Sequence, residues 1–352
     1  MKHLELHILQ SFPVTCLNRD DLNSPKTAIF GGVQRARVSS QCWKRAVREL
    51  AQEALPEFFK GQRGRLIVEP LKAALLKEGL DEAKAIEAAK EIADHLATYD
   101  KDAEKKNGVK KNGVIRVKTA YFTTQGEINK LALAYKKSGD VKKAVKEIKP
   151  EDLKDAADIS LFGRMVASDH TLTVEGAAMF SHALSVHKVD NEIDYFSTKE
   201  DFPNVDAGAA MTGTLEFNSA TYYRFAALNL DMLFDKDHLA CLDAGERKKI
   251  VKAFVKATLE AVPVARRNSM NGDVRPRYVL CVIREKGHPV QLVNAFEEPI
   301  FSKNGLVEKS VEAIKQEYKS LKENWALSAA AEIEMPEKGI TELLSEVEKH
   351  VS

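Results

Sequence analysis

Residues Cys16-Leu17-Asn18-Arg19-Asp20-Asp21, followed by Ile29-Phe30-Gly31-Gly32-Val33-Gln34-Arg35-Ala36-Arg37-Val38-Ser39-Ser40-Gln41-Cys42-Trp43-Lys44-Arg45, put cations, hydroxyls and an amide on a glycine-hinged segment that runs into a helix. Gly31-Gly32 admits positive φ and lets another chain approach closely. Arg35 and Arg37 alternate with Ala36 and Val38, the period of an extended segment with one polar face. A short hydroxyl at Ser39 or Ser40 suits the N-cap of the helix that follows, since it can satisfy an orphan N–H. That helix reads from Gln41 to about Leu55. Helical periodicity gathers Gln41, Lys44, Arg45 and Arg48 on one side and Trp43, Val47, Leu50 and Ala54 on the other. One face packs. The other carries three cations beside a helix N-terminus whose free N–H groups favour phosphate.

A basic solvent face is ordinary on an amphipathic helix, so the surrounding charge matters. The first fifty residues hold eight Lys or Arg against four Asp or Glu, in a chain of 352 residues whose net charge is only +1. Further along, residues 101–150 net +9 and residues 151–210 net −8. Segregation this steep provides one surface for a polyanion and another for a basic neighbour. A chain that stacks on copies of itself along nucleic acid uses both.

With 44% hydrophobic and 30% charged residues, the chain has the composition of a globular protein with ample length for a core. It shows no apolar run of the ~20 residues needed to cross a membrane and no secretory signal pattern. Cys16, Cys42, Cys241 and Cys281 form no C-x-x-C pair. They read as reduced thiols of a cytoplasmic protein and offer no zinc framework. No cofactor or metal is expected. The histidines form no helical H-x-x-x-H pair with a nearby acid, and no phosphate loop or nucleophile elbow occurs, so the sequence reads as non-catalytic.

Along the chain, Leu4, Leu6 and Ile8 alternate with His3, Glu5 and His7 and predict a half-buried strand. Helical spacing follows within 62–99, then an aperiodic lysine-rich loop over 100–114, then two helices over 120–137 and 140–157. Residues 176–188 read as a strand through a core. Residues 190–217 read as a protruding arm, strands return over 214–230 and 277–284, and a helix spans 246–262. The pattern is that of an α+β sheet with helices on one face and a helical insertion.

These residues resemble the CasC-type backbone subunits (Cas-seven family) of type I-E CRISPR Cascade. The resemblance rests on Cys16 to Asp21, Ala28 to Gly32, Ser39-Ser40-Gln41 with Lys44-Arg45, and Gly163-Arg164-Met165. It continues through His182-Ala183, Asp194-Tyr195-Phe196, Tyr223-Arg224 and Asn294-Ala295-Phe296-Glu297 in the same order. It implies a modified RNA-recognition-motif (ferredoxin-like) palm, a helical fingers insertion and a β-hairpin thumb. The expected bounds are 1–58 for the first palm segment, 59–181 for the fingers, 182–188 for a palm strand, 189–222 for the thumb and 223–352 for the remaining palm. Copies would polymerise along one CRISPR RNA beside other Cascade subunits and display guide segments to target DNA, with no membrane partner.

By motif position, the resemblance assigns Arg19, Lys26, Ser39, Gln41, Lys44, Arg45 and Arg48 to the guide backbone. Met165 would wedge against bases, an irregular contact that unbranched Met suits. Tyr195 and Phe196 would sit at the thumb base, with Tyr where the family carries Trp, and Thr212 near the tip. Lys142, Lys146 and Lys149 recur at i, i+4 and i+7 with Lys143 beside them. The family carries a similar lysine helix facing target DNA, and counterion release would drive that contact. The alternative is a metal-independent repeat-processing endoribonuclease using His3, His7 or Tyr222 as acid or base. The terminal glycine-rich loop common in that family is missing.

Overall fold

A computed structural model describes residues 1–100, 115–148, 153–199 and 209–352. Its strands, in chain order, are β1 (His3–Thr15), β2 (Thr27–Phe30), β3 (Val33–Val38), β4 (Gln62–Gly64), β5 (Tyr121–Thr123), β6 (Ala178–Phe180), β7 (Ala183–Ser185), β8 (Glu192–Lys199), β9 (Ala209–Asn229), β10 (Tyr278–Arg284) and β11 (Ala331–Met335). The chain divides into two compact units. One comprises Met1–Leu50, Phe180–Ala227 and Phe254–His350, and the other Ala51–Met179, Leu228–Ala253 and Val351–Ser352.

The first unit is built on a sheet in the order β11-β10-β1-β9-β7-β3-β2. Its pairs β1–β10, β10–β11, β2–β3, β3–β7 and β7–β9 are antiparallel. The architecture is mixed α+β, as expected. The alternation in β1 predicts a half-buried strand, but the strand is central and buried on both faces: His3, Glu5 and His7 are as enclosed as Leu4, Leu6 and Ile8. Partners from distant segments make this tolerable, because a buried polar group is costly only when unpaired. Glu5 accepts from Arg284 Nε at 2.6 Å and from the Val290 N–H at 3.2 Å. The Tyr223 hydroxyl accepts from the Leu292 N–H at 2.7 Å, leaving its proton for His7 Nδ1 at 2.9 Å.

Residues 176–188 are two short strands, β6 and β7, rather than one. Ser181 and His182 interrupt them, and the Ser181 N–H bonds the Phe225 carbonyl. The arm is a long antiparallel ladder of β8 on β9, in register from Glu192↔Phe217 to Thr198↔Met211, with a register shift before Lys199↔Ala209.

The second unit packs helices Val68–Lys77, Glu82–Ala97 and Gln125–Ser138 around Leu71, Leu75, Ala89, Ile92 and Leu131. Asp81 and Thr124 cap the last two, each accepting from an N–H three residues on. The helices anticipated over 120–137 and 140–157 are shorter. Tyr121–Thr123 belongs to a strand, Gly139 at φ 64° ends the first helix, and the next covers only Val141–Lys146. The lysine-rich 101–114 segment and Lys149 lie outside the described residues. No helix among the described residues is long and apolar enough to cross a membrane, and no group of three or more His, Cys, Asp or Glu there could hold a metal.

Candidate nucleic-acid interface

The helix anticipated from the basic motif, α1, spans Ser40–Ala54. Ser39 is its cap: its Oγ accepts from the Cys42 N–H at 3.3 Å, while its own N–H donates to Asn18 Oδ1 at 2.9 Å. The buried stripe is Trp43, Ala46, Val47 and Ala51, with Leu50 only half-buried and Ala54 exposed, a rotation of the expected packing face by a fraction of a turn. Gln41 and Arg45 stand in solvent on the opposite side, and Lys44 and Arg48 are half-buried. Lys44 has no ion-pair partner among the described residues, and burial pushes its ammonium below the ordinary lysine range. Arg45 pairs with Glu49 one turn on at 2.8 Å, in an exposed bridge that solvent screens strongly.

Arg19 and Arg45 come together on one groove of about 430 Å³. Leu17, Asn18, Asp20 and Asn23 line one side, Cys42, Ala46 and Glu49 the helix side, and Pro263, Val264 and Ala265 a third. Arg19 is exposed and donates to the Asn23 amide oxygen at 3.2 Å. Lys26 flanks the turn, its N–H on the Asn18 carbonyl at 2.9 Å. Arg35, which alternation puts on a polar face with Arg37, is instead fully buried. Its guanidinium donates to the carbonyls of Phe30, Ser185, Phe296 and Glu297 at 2.8–3.2 Å, so it braces the sheet. Gly31 allows this closure: a Cβ there would stand 1.7 Å from the Glu297 carbonyl oxygen.

Met165 belongs to the second unit. Beside it Arg164 is buried, with Nη1 on both Glu127 carboxylate oxygens at 2.7 and 2.8 Å and Nε on the Leu172 carbonyl at 3.0 Å. Backbone bonds in both directions between Arg164 and Val174, each 2.8 Å, fix the segment. Gly163 stands at φ 80°, which disfavours any side chain, and a Cβ there would crowd Gly176 and Val174 at 3.0–3.1 Å. On this rigid mount Met165 is 84% exposed while Val166 is 2% exposed. Leaving such a side chain in water forgoes about 1.5–3 kcal/mol of burial. A core methionine would not stand there.

On the arm, Tyr195 pairs with Thr214, Phe196 with Gly213 and Ser197 with Thr212. Tyr195 is 66% exposed and Thr212 is exposed; Phe196 lies over Gly213, where a Cβ would come within 2.6 Å of its ring. Lys142, Lys143 and Lys146 are exposed on Val141–Lys146, which Ala144 and Val145 anchor. Lys143 and Lys146 line a groove with Lys130 and Lys137 of the preceding helix.

The residues nominated for acid–base chemistry are enclosed. His3 is 1%, His7 0% and Tyr222 2% exposed. Burial lowers the pKa of both histidines and raises that of the tyrosine. The sequence reading missed the loop 263–277, whose first residues, Pro263, Val264 and Ala265, form the third side of the groove. It carries four arginines against one aspartate, a local excess visible in the sequence.

A basic helix face and groove, a rigidly mounted apolar side chain and a long two-stranded arm define an α+β protein suited to holding an extended polyanion. The chain belongs to the family described as CT1975-like protein, whose match spans residues 4–348. It is similar, at 26% identity over 99% of this chain and 100% of the other, with a TM-score of 0.80, to a chain of a structure titled CRISPR RNA-guided surveillance complex, pre-nicking. A chain of a second structure, titled CRISPR RNA-guided surveillance complex, shares the fold at 22% identity and a TM-score of 0.62, covering 98% of this chain and 99% of that one. No curated protein matches in sequence.

Proposed function

We propose that this chain is a Cas-seven-type backbone subunit of a CRISPR RNA-guided surveillance complex. It binds CRISPR RNA along its phosphate backbone, assembles side by side with further copies and other subunits, and presents guide segments to target DNA. The observation that carries this reading is the end-to-end similarity, at 26% identity and a TM-score of 0.80, to a chain of such a complex. The finer assignment to a type I-E, CasC-type subunit rests on the ordered motifs from Cys16 to Glu297. In it the sheet unit is a modified RNA-recognition-motif palm, the helical segment the fingers, and β8 with the distal part of β9 the thumb.

The division of labour follows from the chemistry of each group. Arg19, Lys26, Lys44, Arg45 and Arg48, with Gln41 and the capped turn at Ser39, neutralise and position RNA phosphates. Such contacts carry no sequence information. Base pairing between guide and target supplies the specificity instead. Met165 inserts against bases, and Tyr195, Phe196 and Thr212 shape the arm that passes over the guide. Lys142, Lys143 and Lys146 attract target duplex through its phosphates.

Co-expression with the genomic neighbours and a CRISPR array, followed by sequencing of the co-purifying RNA, tests this. RNA with uniform repeat-derived ends around varied spacers is the expected result. An intact multi-subunit particle without RNA overturns it.

A further inference from the structure

The loop 263–277 approaches β1 closely: a Cβ on Gly272 would come within 2.7 Å of the Thr15 side chain. Its arginines are unequally engaged. Arg267 and Arg275 share Asp273, at 3.2 and 2.7 Å. Arg266 has no carboxylate partner among the described residues and stands at φ 52°. A non-glycine residue rarely adopts that conformation, and strain of this kind persists where a ligand clamp needs it. Only four non-glycine residues with positive φ occur among the described residues, and two of them, Asn23 and Arg266, lie at this groove or one residue beyond its lining.

Burial raises the pKa of the Cys16 thiol, one residue before the groove residue Leu17, and Arg266 and Arg19 are the two cations that pull against the rise. Arg19 lines the groove and Arg266 directly follows its lining residue Ala265, although 247 positions of chain separate the two arginines. The carboxylates nearby are occupied. Asp20 accepts from the N–H groups of Leu22 and Ser24, and Glu49 is paired to Arg45.

We propose that Pro263–Ala265 and Arg266 form a second wall of the RNA-backbone groove, opposite α1, and that Arg266 and Arg19 together take one phosphodiester of the bound single strand. This rests on the RNA-binding reading above and adds a site to it. Val264, 50% exposed, then lies against the sugar edge of the strand rather than in water.

The test is anisotropy of a labelled 40-nucleotide single-stranded RNA with the full-length protein, titrated across potassium chloride concentrations. Arg266→Gly removes the charge and fits the positive φ without strain. It should weaken binding several-fold and reduce the slope of log K against log salt by about 0.7, the value for one single-strand phosphate contact. Arg266→Lys should keep the slope. Ala265→Glu, which puts a carboxylate on the same wall, should weaken binding roughly tenfold or more. An unchanged slope in Arg266→Gly, or unchanged affinity in Ala265→Glu, overturns this wall while loss of affinity in Lys44→Ala leaves RNA binding at α1 intact. Failure of the unaltered protein to bind the RNA overturns both readings. Equal affinity for a DNA strand of the same sequence keeps the phosphate contact and overturns the assignment to RNA.

Discussion

Arg164 and Glu127 form a buried ion pair, with one guanidinium nitrogen 2.7 and 2.8 Å from the two carboxylate oxygens and both side chains almost wholly enclosed. The pair does not touch any proposed ligand. It holds the segment whose next residue, Met165, projects into solvent. Removing one partner leaves an uncompensated buried charge, which costs about 3–5 kcal/mol. Arg164→Ala should therefore lower the melting temperature, on the order of 10 °C, by scanning fluorimetry. Met165→Ala should leave it within a degree or two, because no packing is lost. A large melting shift in Met165→Ala would mean that the side chain is structural.

Met165→Ala should also separate assembly from base contact. The RNA co-purifying with the variant should equal that of the unaltered protein, since phosphate contacts dominate affinity. Nuclease or chemical footprinting of the bound RNA should lose its regular pattern near the residue. An unchanged footprint would exclude Met165 from the bases.

Some of this site was legible in the sequence and some was not, for physical reasons. Local signals survived. The N-cap at Ser39, the helix behind it and the β8–β9 arm are set by neighbouring residues, and each appears within a few residues of its expected place. Readings that depended on which face is buried fared worse. Alternation places Arg35 with Arg37 correctly on one face, but no local feature announces that carbonyls from Ser185, Phe296 and Glu297 converge on Arg35. In β1 the alternating His3, Glu5 and His7 signal solvent until Arg284 and Tyr223 arrive from distant strands. The loop 263–277 lacks periodicity altogether. Its charge excess was readable; its place at the groove was not.

The lysine surface can be tested apart from the guide. The variant Lys142→Ala/Lys143→Ala/Lys146→Ala changes exposed residues only, so folding and RNA content should be unchanged. Duplex DNA engagement should weaken, and its salt slope should fall by about 0.9 for each phosphate contact removed. Gel-shift titrations of the RNA-loaded complex at two salt concentrations measure this. Equal slopes would place the DNA elsewhere.

The buried His7 makes stability depend on pH with a definite sign. Burial lowers its pKa below 6.5, so the folded protein holds the ring neutral where the unfolded chain would protonate it. Burial outweighs the opposing pull of Glu5, whose carboxylate stands 3.5 Å from Nε2 and favours the protonated ring, while Arg284 beside it disfavours that form and Nδ1 accepts from Tyr223. The unfolded state therefore binds more protons, and stability rises with pH through this window. The contribution is present above about pH 6.5 and is lost as pH falls. The lowered pKa values of His3, His182 and His187 add to the same trend. Melting temperatures should thus decline from pH 7.5 to pH 5. His7→Gln retains an acceptor for Tyr223 without a titrating ring, so it should flatten part of that decline. A profile as steep as that of the unaltered protein would show that His7 is not the group responsible.

The arm offers the sharpest separation of folding from assembly. Phe196 lies across the strand pair onto Gly213, and any larger residue there would drive a Cβ into its ring at 2.6 Å. The affected residues belong to β8 and the distal part of β9, so the clash is confined to the ladder and leaves the sheet core intact. Gly213→Val should displace Phe196 while the melting temperature of the isolated subunit falls by no more than a few degrees. If the arm passes over the guide to a neighbouring copy, the same change should shorten the assemblies recovered with CRISPR RNA, read as a lower mass by light scattering. A pairing of Gly213→Val with Phe196→Ala, which vacates the space, should recover folding of the ladder but not assembly if the ring itself makes the contact. Full-length assemblies in both variants would exclude Phe196 from that contact.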